Sequence, residues 1–194
     1  MFGRVIIAAI LGGVLAFAGG FVGHEVLQLG QRAIKKPAST EAVKQAVRTL
    51  FSEPGIYGVP YPDKPGMKMT EEELKAFVAE YRAGPVARVV VAPQSDDTTM
   101  YKMMAFEGAT NFVCALIIAI VLAMTRPSVG FIGRWIIAIL IGVFAWASIS
   151  ASNFIWYGYP LEYVRDELLC QALEWAAAGF IIAAIVRPRE IVRY

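Results

Sequence analysis

Histidine occurs once in this chain, as His24, and cysteine twice, as Cys114 and Cys170, so no disulfide framework and no Cys-rich metal motif is present. One histidine cannot complete a metal site alone, and no metal site is assigned. Charge is also scarce: 18% of residues are charged, the net charge is +2, and the basic residues form no continuous stripe. That excludes the electrostatic footprint of nucleic-acid binding. Catalytic signatures are missing as well. There is no P-loop, no GxSxG, no HExxH and no dinucleotide fingerprint. A Ser/His/Asp triad would have to use His24, without a nucleophile elbow beside it. No internal repeat of the transporter kind is visible. No catalytic residue is assigned.

What the chain has in excess is apolar sequence: 57% of its residues are hydrophobic. That is too much for a water-soluble domain of this length. The excess sits in four stretches, residues 5–22, 106–125, 135–155 and 168–186. A helix of about 20 residues rises ~30 Å, the thickness of a hydrocarbon core. The fold class expected is a membrane protein, mainly α: a four-transmembrane-helix bundle with a small α/β extracytoplasmic domain between its first two spans. The divisions are residues 1–29, 30–104 and 105–194. Arg4, the apolar run and Ala16-Phe17-Ala18 resemble a signal peptide. This segment is read as an uncleaved signal anchor.

Charge orients the spans. Arg4, the pair Arg126 and Arg134, and the group Arg187, Arg189 and Arg193 (with Glu190 the only acid among them) share one side if the N-terminus is inside. The positive-inside rule gives N-in, C-in, with residues 30–104 and the turn at 157–165 outside. Trp156, Tyr157, Tyr159 and Tyr163 fall at the outer interface, and Trp135 and Tyr194 at the inner one. A bacterial inner membrane is the expected location.

The insert reads as helix, strand, helix, strand. Ser39 or Thr40 caps a helix over 38–52 whose apolar face is Ala42, Val43, Ala46, Val47 and Leu50. Pro54-Gly55 stops it, and residues 55–60 read as a strand. Thr70 and Glu73 make a capping box for a helix over 71–82, and residues 86–92 are the clearest β-run. Two helices and two strands make a thin core. The insert is expected to pack on the outer ends of the spans or on a neighbouring copy.

Polar residues inside the spans are the candidate site. His24, beside Glu25, is a metal or haem ligand, a proton-handling group, or an interfacial histidine bonded to the outer domain or span four. In a homodimer two copies would suit a bis-His haem. Glu167, Gln171 and Glu174 share one face of span four. Span two adds Glu107, Thr110 and Asn111, and span three Ser148, Ser152 and Asn153. All lie in the outer half, so the bundle is expected to open outward as a polar funnel. It holds a cofactor, haem or quinone, through His24, Glu174, Gln171 and Asn111, or its polar groups only tie helix to helix and helix to cap. Cys114 and Cys170 are read as small apolar packing residues. Gly12, Ala16 and Gly20, with Ala8, make a small-residue stripe on span one. Its partner is span two, three or four of the same chain, or span one of another copy. The aromatic turn 156–160 stacks on a quinone, lipid or pigment, or is an interfacial belt.

Gly-Phe-Val-Gly-His at 20–24, Glu-Pro-Gly-Ile-Tyr at 53–57, the Gly84-Pro85 break before a strand and Trp-Tyr-Gly-Tyr-Pro at 156–160 stand along most of the chain. Together they resemble an uncharacterised family of small bacterial four-helix membrane proteins with an extracytoplasmic α/β insert. The resemblance implies that architecture and carries over no activity and no functional residue. The function expected is that of a structural or accessory membrane protein that self-associates or joins a larger complex. Its partners are membrane lipid and protein, not nucleic acid. A haem- or quinone-binding subunit is the first alternative, and a small solute transporter or sensor the second.

Overall fold

The computed structural model describes residues 2–188. Arg189, Glu190, Arg193 and Tyr194 therefore lie outside the described residues. The chain divides into two units, one built from residues up to Lys35 and from Asp97 onward, the other from Lys36–Asp96. The sequence reading divides it instead at 30 and 104. Residues 30–35 belong with the long helices because Asp166 holds them there, as described below.

In the first unit, α1 is Phe2–Phe21, α4 Thr99–Ala123, α5 Phe131–Tyr157 and α6 Leu161–Ile185. Among the described residues these four helices, α1 taken with its continuation to Ala33, are long and apolar enough to cross a membrane. All four start earlier than hydropathy alone indicates, α4 and α6 by seven residues each. α6 begins at Leu161 rather than 168 because Pro160 stands at its N-cap and Glu162 complements the helix dipole in its first turn. Hydropathy drops Glu162, Asp166 and Glu167 from the span, but backbone hydrogen bonding does not.

α1 and α6 lie at the centre of the bundle. α1 packs on α4 and α6, and α5 packs on α6. The core consists largely of alanines and a few large side chains, among them Ile118, Leu122 and Ile182, all at most 2% exposed. The small-residue stripe of α1 is spent inside the chain. A Cβ on Gly12 would sit 2.6 Å from Ile182 of α6, and one on Gly13 would sit 2.9 Å from the Phe112 Cα of α4. Ala16 is fully buried. Of the partners open to the stripe from sequence, α4 and α6 of the same chain are the ones used. The outward faces carry large apolar side chains such as Val14 and Phe144.

Two tryptophans fasten α5 to α6. Trp135 Nε1 donates to the Ala176 carbonyl at 2.8 Å, and Trp146 Nε1 to the Val164 carbonyl at 2.8 Å. Trp135, expected in an interfacial belt, thus has its polar edge satisfied between helices, and its ring meets Phe180 edge-on. Arg134 is drawn in too. It donates to the Val129 carbonyl at 2.6 Å and to the Ala183 carbonyl, near the end of α6, at 3.1 Å. A cation there complements the C-terminal end of a helix dipole.

The second unit contains α2 (Thr40–Leu50), β1 (Gly55–Val59), α3 (Glu71–Ala83) and β2 (Ala87–Val91). Ser39 is the N-cap of α2, accepting from the Ala42 N–H at 3.2 Å. β1 and β2 pair antiparallel, with Ile56 opposite Val90 and Tyr57 opposite Val89. Tyr57 packs its ring 4.4 Å from that of Phe51 and donates its hydroxyl to the Glu53 carbonyl. Among the described residues of this unit no side chain is fully buried.

The capping box forms as the sequence indicates. The Glu73 N–H donates to Thr70 Oγ1 at 3.2 Å, and the Thr70 N–H donates to Glu73 Oε2 at 2.7 Å. Lys64 Nζ lies 2.6 Å from Glu73 Oε1. First the Lys64 hydrogen bond and then the Thr70 N–H hold the Glu73 carboxyl below its usual range. A lowered folded value means a contribution present above the unfolded pKa of ~4.3 and lost as pH falls through the folded value. The first turn of α3 is therefore expected to fray as pH falls below the unfolded value of ~4.3, seen as loss of protection at the Glu73 and Leu74 amides after intrinsic-rate correction. Glu73→Gln should lack that pH dependence. Identical profiles for both proteins would refute the assignment.

Candidate functional site

α1 does not end in a simple cap. After Phe21 the chain makes a π-helical turn, Val22–Val26, with the Leu27 N–H on the Val22 carbonyl at 2.9 Å. Such a turn swings side chains out of the α-helical register, and it recurs at functional sites. The chain then reverses through Gln28 and Gly30, which have φ of 53° and 77°. At Gly30 that left-handed conformation is free of Cβ strain. The reversal brings the Leu29 carbonyl back onto the turn, where it meets His24 Nδ1 at 3.1 Å. A carbonyl only accepts, so Nδ1 carries a proton, and in the neutral imidazole Nε2 then presents a lone pair.

That lone pair faces α6. His24 Nε2 lies 3.5 Å from Cys170 Sγ, and Cys170 Sγ lies 3.5 Å from Glu174 Oε1. Cys170 and Glu174 are four residues apart, on one face of α6. They are 1% and 8% exposed, while His24 is half-buried. One ligand atom from each of the three lies within 4.8 Å of the other two. Glu174 stands near the midpoint of α6, deeper in the helix than the two turns counted from residue 168. Its other oxygen, Oε2, accepts from Gln171 Nε2 at 3.4 Å, and Gln171 Oε1 accepts from Trp175 Nε1 at 3.0 Å. The cluster is thus backed by a chain of oriented polar groups.

Glycines on the α1 side make the room. A Cβ at Gly20 would stand 2.7 Å from Glu174 Oε1, and one at Gly23 would stand 2.5 Å from Cys170 Sγ. Gly20, singled out in sequence as a helix contact, is therefore the floor under a carboxylate.

Of the four candidate cofactor residues, His24, Glu174 and Gln171 come together. Asn111 is only 8% exposed, but its Nδ2 donates to Glu107 Oε1 of its own helix, at 3.2 Å. Ser148 likewise bonds a carbonyl of its own helix, Ala145 at 3.1 Å. Asn111 and Ser148 thus bond within their own helices, and the His24–Cys170–Glu174 cluster is built from the π-helical turn after α1 and from α6. Cys170 is the member that sequence reading assigned to packing. Its i, i+4 spacing to Glu174 is the only signal in the sequence that joins them.

Asp166 also escaped that reading. It is fully buried, and its carboxylate accepts from the Gly30 N–H at 3.2 Å, Arg32 at 3.1 Å and Arg165 at 3.0 Å. It ties residues 30–32 to α6 and so holds the reversal that supplies the Leu29 carbonyl to His24.

No family model, curated protein or solved structure matches this chain. The site is accordingly read from its own chemistry.

Proposed function

We propose that this chain is a structural or accessory protein of a bacterial inner membrane, with both termini cytoplasmic, that self-associates through its extracytoplasmic insert. It fits the family of small bacterial four-helix membrane proteins that its motifs resemble. The observation that carries the reading is the open sheet of the insert. Ile56 and Val90 face each other across the two strands and are 63% and 66% exposed. An isolated two-stranded sheet is marginal in water. Its unpaired edges and an apolar cross-strand pair invite further pairing. A second copy offers the same edge and the same apolar pair, which a two-fold axis brings into register.

Native mass spectrometry of protein extracted gently from its own membranes tests this. The expected result is an even multiple of 21.2 kDa, falling to the single-chain mass in Ile56→Lys and Val90→Lys. A single-chain mass for the wild type overturns the proposal, as does a complex made only with another protein. The haem alternative lacks support in the geometry. His24 Nε2 faces Cys170 Sγ at 3.5 Å, which leaves no gap for a macrocycle between them. A small ligand suits the cluster better.

A further inference from the structure

The geometry points to a binding site for one divalent metal ion of the zinc class, held by His24 Nε2, Cys170 Sγ and Glu174 Oε1, with water completing the shell. This site is independent of how copies assemble. Tetrahedral zinc, with sulfur at ~2.3 Å and nitrogen or oxygen at ~2.0 Å, sets neighbouring donors ~3.5 Å apart. The two sulfur-centred separations are both 3.5 Å.

Three further observations separate this arrangement from a mere contact between polar side chains. The first is orientation. Metal-bound imidazole characteristically donates its other N–H to a carbonyl or carboxylate, and here Nδ1–H is spent on Leu29. The carboxylate is similarly oriented, through Gln171 and Trp175. The second is proton supply. Cys170 has one S–H, yet it faces both a nitrogen lone pair and a carboxylate oxygen. The imidazole nitrogen and the carboxylate oxygen thus both converge on one sulfur, and a cation held among the three atoms would meet all of them at once. The third is charge. A thiolate, a carboxylate and a neutral imidazole with one divalent ion sum to zero, the form that a low-dielectric surrounding favours. Mixed N, S and O donors select against magnesium and calcium, which take oxygen shells. On loading, the Cys170 S–H bond breaks, its proton passes to solvent, and the sulfur keeps the electron pair for the metal. No oxidation state changes.

Cobalt(II) is the probe, added to the intact detergent-solubilised protein and then displaced with zinc. The expected result is saturation at about one cobalt per chain, with a thiolate-to-cobalt charge-transfer band that zinc removes. Cys170→Ser should abolish the band, while Cys114→Ser keeps it. His24→Ala and Glu174→Gln should each weaken zinc binding by at least about tenfold. Zinc-edge absorption spectroscopy of the unsubstituted protein guards against variants that fail to fold, and is expected to show one sulfur among nitrogen and oxygen neighbours. Absence of saturable binding, a band that survives Cys170→Ser, or a shell without sulfur overturns the site.

Discussion

Gly13→Ala is expected to destabilise the bundle by about 1–3 kcal/mol, although alanine is the better helix former. The added Cβ would stand 2.9 Å from the Cα and 3.0 Å from the nitrogen of Phe112. Both are main-chain atoms of α4, so no rotamer change relieves the contact and the two helices must separate. Helix association in a membrane rests on such close packing, because lipid gives apolar faces no reason of their own to join. Gly3→Ala is the control, since nothing lies within 4 Å of a Cβ there. Unfolding in mixed detergent and SDS micelles measures both. Equal midpoints for Gly13→Ala and Gly3→Ala would refute the packing argument.

Asp166→Ala has the second large effect, and it is local. Arg32 and Arg165 are 51% and 58% exposed at their side chains, so they turn to water at little cost. The Gly30 N–H is buried and has no such escape. Leaving it unsatisfied costs about 1–3 kcal/mol. The reversal at residues 28–32 should open, and tryptic cleavage after Arg32 should accelerate about tenfold or more, since 1.4 kcal/mol corresponds to a factor of ten. Asp166→Asn keeps one acceptor for Gly30 and should fall between. Because Leu29 then releases His24, zinc affinity should drop in parallel. Unchanged proteolysis in Asp166→Ala would mean that the clamp does not hold the loop.

The local elements were legible because their causes are local. The α2 cap at Ser39, the Thr70–Glu73 box and the run of β-branched residues in β2 each act within a few residues. The cluster is different in kind. His24 and Cys170 are 146 residues apart in the chain. A π-helical turn, which no residue pattern announces, aims one at the other.

Sequence alone determined the elements: four helices long and apolar enough for a bilayer, and a mixed insert whose caps and breaks stand in plain residues. Tertiary structure decided what the small residues and the lone histidine are for. Periodicity tells which face of a helix is smooth or polar, but not which helix will meet it. Only the packing of α1 against α6 turned Gly20 and Gly23 into space for ligands, and made one site of a histidine, a cysteine and a glutamate.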